Sequence, residues 1–234
     1  MGARSAGMGH ATLNVADVWA THHNQAALGL LDQAGVSVFY ENRWLTEGMS
    51  TQGATFAIPT GKFGAIGAIY SRFGNSLYSQ SKYGLSYGVR LAKGFYMGIG
   101  LNYHDTRLAE DYGNKGNFVA ELGIMGQVSR KIRIGFHAYN LSRAILVKDS
   151  LNNDRLPMVF RLGGMYSFSE KAHLSIEVEK DLELAPIVKT GVEYRPSKLI
   201  FIRLGFNTQP FAPSIGLGFH VKGIRLDLAS TIHP

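Results

Sequence analysis

An all-β fold, in the form of a transmembrane antiparallel up-and-down β-barrel, is predicted by three observations. From Gln33 onward apolar and polar residues alternate with a period of two, the period at which strand side chains change faces. The connections alternate between tight turns and longer loops. The face opposite the apolar one carries glycine, serine and charge rather than a second apolar set.

The alternation predicts thirteen strands, at 33–41, 51–58, 62–71, 82–92, 94–106, 117–129, 131–140, 157–168, 171–179, 186–195, 198–206, 213–221 and 223–231. Typical is FYMGIGLNYH, where Phe95, Met97, Ile99, Leu101 and Tyr103 alternate with Tyr96, Gly98, Gly100, Asn102 and His104. In IRIGFHAY, Ile132, Ile134, Phe136 and Ala138 oppose Arg133, Gly135, His137 and Tyr139. Tight turns are expected at TGK, KG, SRK, SEK, PSK and a second KG; the longer loops include FGNSLYSQS, Ser142 to Arg155, and NTQPFAP. Short turns on one rim and longer loops on the other are the arrangement of outer-membrane barrels, where the short turns are periplasmic.

The inward phase carries Arg90, Glu121, His137, Arg161, Glu177, Glu179, Lys189, Glu193, Arg203, Arg225 and Asp227. In the dry core of a sandwich each such charge would cost several kcal/mol unless paired. A barrel in lipid turns the apolar set outward and lets the charges pair inside. Closure also removes the sheet edges, which hydrocarbon does not tolerate. A soluble β-barrel binding module is the alternative. Thirteen strands leave two edges open, so a returning fourteenth strand is expected beyond ASTIHP.

Composition narrows the function. With no cysteine, disulfides, thiolate metal sites and cysteine nucleophiles are excluded. The net charge of +7 is spread through the chain without a basic tract, so no nucleic-acid partner is expected. No apolar run reaches the ~18 residues of a transmembrane helix.

Residues 1–32 stand outside the alternation, with one helical stretch around His22 to Leu31. The opening GARSAGMGHATLNVADVWATHHNQAALGL resembles that of the PorV/PorQ-like outer-membrane proteins of Bacteroidetes, within the fatty-acid-transporter-like (FadL-like) barrel superfamily. Gly2, Ala3, Arg4, Ala6, Gly7, Met8, Gly9 and Ala11 fit a G-A-R-x-A-G-M-G-x-A start, and Asn24, Ala26 and Leu28 fit an N-P-A-G-L motif. Gln25 stands where proline is usual and Ala27 where glycine is. YGLSYGVRL, RLPMVFRLGGMYSFS and LDLASTIHP extend the resemblance along the chain.

The resemblance implies a fourteen-stranded barrel in the bacterial outer membrane, with an N-terminal hatch (1–32) inserted from the periplasmic side and a wall (33–234) lacking its last strand. It implies a non-enzymatic role, in transport or as a component of type IX secretion or outer-membrane assembly. A fatty-acid-type channel for hydrophobic small molecules is the alternative. Expected partners are outer-membrane lipid, a larger outer-membrane or secretion complex, or a hydrophobic small molecule; no cofactor is expected.

Arg4, Met8, His22, His23, Asn24, Gln25, Ala26 and Leu28 are the expected hatch residues. No carboxylate cluster accompanies His22 and His23, so packing against the wall is expected rather than a metal. Asn24 can tie a turn through its amide. Glu177 and Glu179 share a face, but Arg161, Lys189 and Arg203 lie in the same phase nearby. Charge pairing is therefore expected in place of paired-carboxylate catalysis. Trp44, Leu45, Met49 and Phe211 are the outer-loop candidates for ligand or partner contact.

Overall fold

The computed structural model of the chain describes residues 1–42, 48–108, 114–143, 145–148 and 153–232. Thirteen strands form one antiparallel sheet in which each strand pairs with the next along the wall. They are β1 (Gly35–Asn42), β2 (Ser50–Pro59), β3 (Ala65–Gly74), β4 (Tyr78–Ala92), β5 (Phe95–Leu108), β6 (Asn114–Gln127) and β7 (Ile132–Tyr139). A separate hairpin of β8 (Ile145–Lys148) and β9 (Asn153–Arg155) follows. The wall resumes with β10 (Val159–Ser169), β11 (Ala172–Asp181), β12 (Ile187–Tyr194), β13 (Ile200–Thr208), β14 (Phe211–Val221) and β15 (Ile224–Thr231). β10 pairs directly with β7, so the β8–β9 hairpin is an insertion between neighbouring wall strands.

Each of the thirteen expected strands has its counterpart in this sheet. Two loops are shorter than expected. The antiparallel register runs on through Phe73↔Gln80 and Gly74↔Ser79, leaving only 75–77 between β3 and β4. Likewise Thr208 pairs with Phe211, so β13 and β14 are joined by two residues. Polar residues in a continuing ladder look like loop in sequence, and these did. The β8–β9 hairpin lies where only a loop was expected.

The sheet is inside out relative to a soluble protein. Leu85 is 69% exposed and Val36 77%, whereas Arg203 and His137 are wholly buried. The sheet curls around the N-terminal segment, which occupies its inner side. That segment comprises α1 (Ala3–Gly7), α2 (Ala20–His23) and a 3₁₀ turn at Gln25–Leu30. The single helix expected around His22 to Leu31 is thus broken. Asn24 adopts φ −166° and ψ 107°, and its side chain accepts a hydrogen bond from the Ala26 amide. α1 was not expected.

Among the described residues, β1 and β15 each pair on one side only. Between them lies a cavity of about 320 Å³, backed by α1 and lined by Tyr40, Glu41, Ala229 and Ser230 among others.

Candidate functional site: a segment bound around the inner wall

The N-terminal segment meets the wall nearly all the way round. The Gly9 amide donates to Ser214 Oγ on β14 at 3.0 Å, and the Leu13 amide to Glu177 Oε2 on β11 at 3.2 Å. Asn14 Nδ2 donates to the Gly163 carbonyl on β10. Asn24 Nδ2 donates to the Leu13 carbonyl at 3.1 Å and the Ile124 carbonyl on β6 at 3.4 Å. The Thr21 and Thr55 hydroxyls lie 2.7 Å apart at β2, and Trp19 Nε1 donates to Ser37 Oγ on β1.

Glycines permit this approach. A Cβ at Gly98 would collide with the Gln25 backbone, and one at Gly205 with Met8 and Gly9. Met8, Asn24, Gln25, Ala26 and Leu28 are fully buried.

Two charged clusters fasten the segment. The first centres on Glu121 of β6. Glu121 accepts from Lys82 Nζ at 3.0 Å, Asn102 Nδ2 at 2.6 Å and Gln25 Nε2 at 2.5 Å. Arg161 donates to His137 Nδ1 at 2.7 Å. Nδ1 is therefore the unprotonated nitrogen, and the proton sits on Nε2. Nε2 lies 3.1 Å from both Glu121 Oε2 and Gln25 Oε1. Gln25, at the usual proline position, thus places a buried amide between Glu121 and His137.

The second cluster centres on Glu193 of β12. Arg4 grips it with Nε and NH2, at 2.9 and 2.7 Å, and donates through NH1 to Asp17 at 2.9 Å. Arg203 donates to Glu193 at 2.6 Å and to Asp227 at 2.7 Å. Such bidentate, charge-assisted bonds are the stronger kind. Burial opposes the Arg4 charge, but Glu193 and then Asp17 outweigh it and hold its pKa above the ordinary arginine range.

Other expected interior residues are placed differently. Lys189 bonds Glu179 at 2.5 Å and stands 3.9 Å from Glu177. Arg161 stands opposite Glu179 in register and bonds His137 Nδ1. Arg225 stacks over the Phe201 ring, 4.6 Å from its centroid. Arg90 needs correction: it is exposed and bonds the Ala92 carbonyl, outside both clusters. It keeps the inward phase, opposite the buried Tyr96, but stands at the turn-side end of β4, beyond the packed lumen. Lys82 and Asn102 were not singled out from sequence, although both lie in the inward phase of their strands.

His22 lies beside Lys82, with Nδ1 3.3 Å from Nζ, and His23 Nε2 is 3.0 Å from the Met1 carbonyl oxygen. Burial first, and nearby positive charge second, hold both imidazoles well below the ordinary histidine pKa. Neither joins a group of three potential metal ligands among the described residues. Of the outer-loop candidates, Trp44 and Leu45 lie outside the described residues. Met49 is exposed, and Phe211 is a correction: it opens β14 and packs against Phe206, ring centroids 6.0 Å apart, rather than standing in a loop.

Pockets lie on both sides of the segment. On the long-loop side a space of about 200 Å³ is lined by His22, Lys82, His104 and Tyr139. On the short-turn side, one of about 520 Å³ opens between the β6–β7 and β10–β11 turns.

No family model matches the chain, and no curated protein matches it. Solved structures do. The toluene transporter TbuX of Ralstonia pickettii has 15% identity and a TM-score of 0.68, over 99% of this chain and 92% of that one. The toluene transporter TodX of Pseudomonas putida has 10% identity and a TM-score of 0.69, over 98% and 91%. A FadL homologue of Pseudomonas aeruginosa has 12% identity and a TM-score of 0.64, over 97% and 88%. The chain has the β-barrel fold of the FadL-like channel proteins.

Proposed function

We propose that this protein is a non-enzymatic outer-membrane channel of the FadL-like type, passing small hydrophobic molecules past an N-terminal hatch. Residues 1–32 are the hatch and residues 33–234 the wall. One observation carries the reading: a segment bonded around the inner wall, within a fold whose solved examples include toluene transporters. The outward apolar faces suit lipid. The N-terminus and the short turns then lie in the periplasm. One further strand at the seam between β1 and β15 would close the wall, as hydrocarbon demands.

Toluene uptake into proteoliposomes tests this reading. Uptake above that of empty vesicles, raised by loosening the hatch, is the expected result. Uptake equal to empty vesicles in both forms would reject it.

A second reading is favoured by the polar, occupied lumen and by the GARSAGMGHA opening. In it the barrel belongs to the PorV/PorQ-like group and serves type IX secretion or outer-membrane assembly. Purification from native membranes distinguishes the two. A stoichiometric large protein partner supports assembly, and a barrel recovered alone with bound apolar molecules supports transport.

A further inference from the structure

The pocket on the short-turn side borders the second cluster, with Arg4 in its lining. Arg130 and Lys131 of the β6–β7 turn and Arg133 at the start of β7 line it, with Glu170 from the β10–β11 turn. Among the described residues, Arg130 and Lys131 form no ion pair. The Arg133 guanidinium is half-buried, and its hydrogen bond is a long one, to the Asn14 carbonyl at 3.5 Å. A guanidinium withdrawn from water without a carboxylate partner is costly. Here three cations face one carboxylate.

At the back of the pocket the Arg4 charge is already matched by two carboxylates. Nε, NH1 and NH2 of Arg4 all bond to Asp17 and Glu193. His173 adds a buried Nε2 that has no hydrogen-bond partner and lies 3.9 Å from Glu193. The floor is apolar, made by Val15 and Ala16 of the N-terminal segment and Met165 of β10. A volume of about 520 Å³ falls within the ~300–1,000 Å³ of small-ligand sites.

We propose that this pocket binds a small amphiphilic anion, a carboxylate or phosphate head on a short apolar body. The head pairs with Arg133, whose planar fork matches either group, and with Arg130 and Lys131 at the rim. The body rests on Val15, Ala16 and Met165. Because Val15 and Ala16 lie between Asn14 and Asp17, an occupant presses on the N-terminal segment and favours its seated position. The site does not depend on what crosses the barrel. The head can belong to a free short-chain carboxylate or to a lipid at the membrane surface.

The test is calorimetric titration of the full chain in phosphatidylcholine nanodiscs, with octanoate and inorganic phosphate as probes. Octanoate should saturate one site and bind more tightly than phosphate. Arg133→Gln, and separately the exposed-turn double variant Arg130→Gln/Lys131→Gln, should each weaken octanoate by about tenfold or more. Arg90→Gln, on the same rim but outside the pocket, should leave it unchanged. Heat-modifiable electrophoretic migration verifies that each variant is folded. Octanoate affinity lost when phosphatidylglycerol is added to the nanodiscs identifies a lipid head as the natural occupant; affinity retained identifies a free carboxylate. The absence of saturable octanoate binding overturns the proposal, as does binding indifferent to both the Arg133 and the turn variants.

Discussion

Glu121 and Glu193 are both carboxylates buried in the lumen, and the N-terminal segment touches both, but it answers them differently. At Glu121 the compensating charge is Lys82 of the wall, and the segment adds only the neutral Gln25 amide. At Glu193 the segment supplies a full charge, Arg4, gripping both oxygens. Lifting the Gln25 end leaves Glu121 still paired. Lifting the Arg4 end leaves Glu193 and Asp227 to share Arg203. The segment is therefore pinned by charge near its start and held by neutral bonds near its end, so opening should begin at residues 21–30.

The largest effect should come from destroying the charged side of this contrast. Arg203→Met takes the bonded cation from Asp227 and leaves Glu193 to Arg4 alone, and should destabilise the barrel by about 3–5 kcal/mol. Heat-modifiable migration reads this as loss of the compact form at a lower temperature. Gln25→Leu removes neutral bonds only and should cost about 1–3 kcal/mol. Hydrogen exchange should rise at residues 21–30 and stay unchanged around Arg4; equal rises at both ends would erase the distinction.

Asn24→Ala deletes the cap on Ala26 and the tie to Leu13, at a cost of about 0.5–2 kcal/mol. Protease access to the segment, or leakage of small solutes, should increase. If neither changes, the role assigned to this stretch is wrong.

Acidification sharpens the contrast most gently. Burial, aided by Lys82 and Arg161, holds His22 and His23 neutral in the seated segment. Below the ordinary histidine pKa of ~6.5 the released segment binds more protons than the seated one, so seating weakens as pH falls through that value. Exchange at residues 21–30 should quicken between neutral and mildly acidic pH. His22→Gln/His23→Gln should flatten that dependence, and an unchanged profile would assign it elsewhere.

The wall was legible because each strand repeats one rule, apolar out and polar in. Register across strands sets the partners within the lumen, and a single chain does not display it. Glu193 and Arg203 were legible as charges in phase, but the meeting of Glu193 with Arg4, 189 residues away, was not. Arg90 misled because it is in phase but stands at the rim, where the packed lumen has ended. Lys82 carried the right signal, an inward lysine before Tyr83, and went unused. Gln25 read as a departure from a motif; only the fold brings it against Glu121 and His137.

The bond from the Gly9 amide to Ser214 joins residues 205 positions apart, and it has a consequence for biogenesis. The segment is synthesised before the wall, yet one of its partners stands on β14, 205 positions later. It can seat fully only when that strand is in place. Protection of residues 7–9 from protease should therefore be among the last events of maturation, following wall assembly in time as it precedes it in sequence.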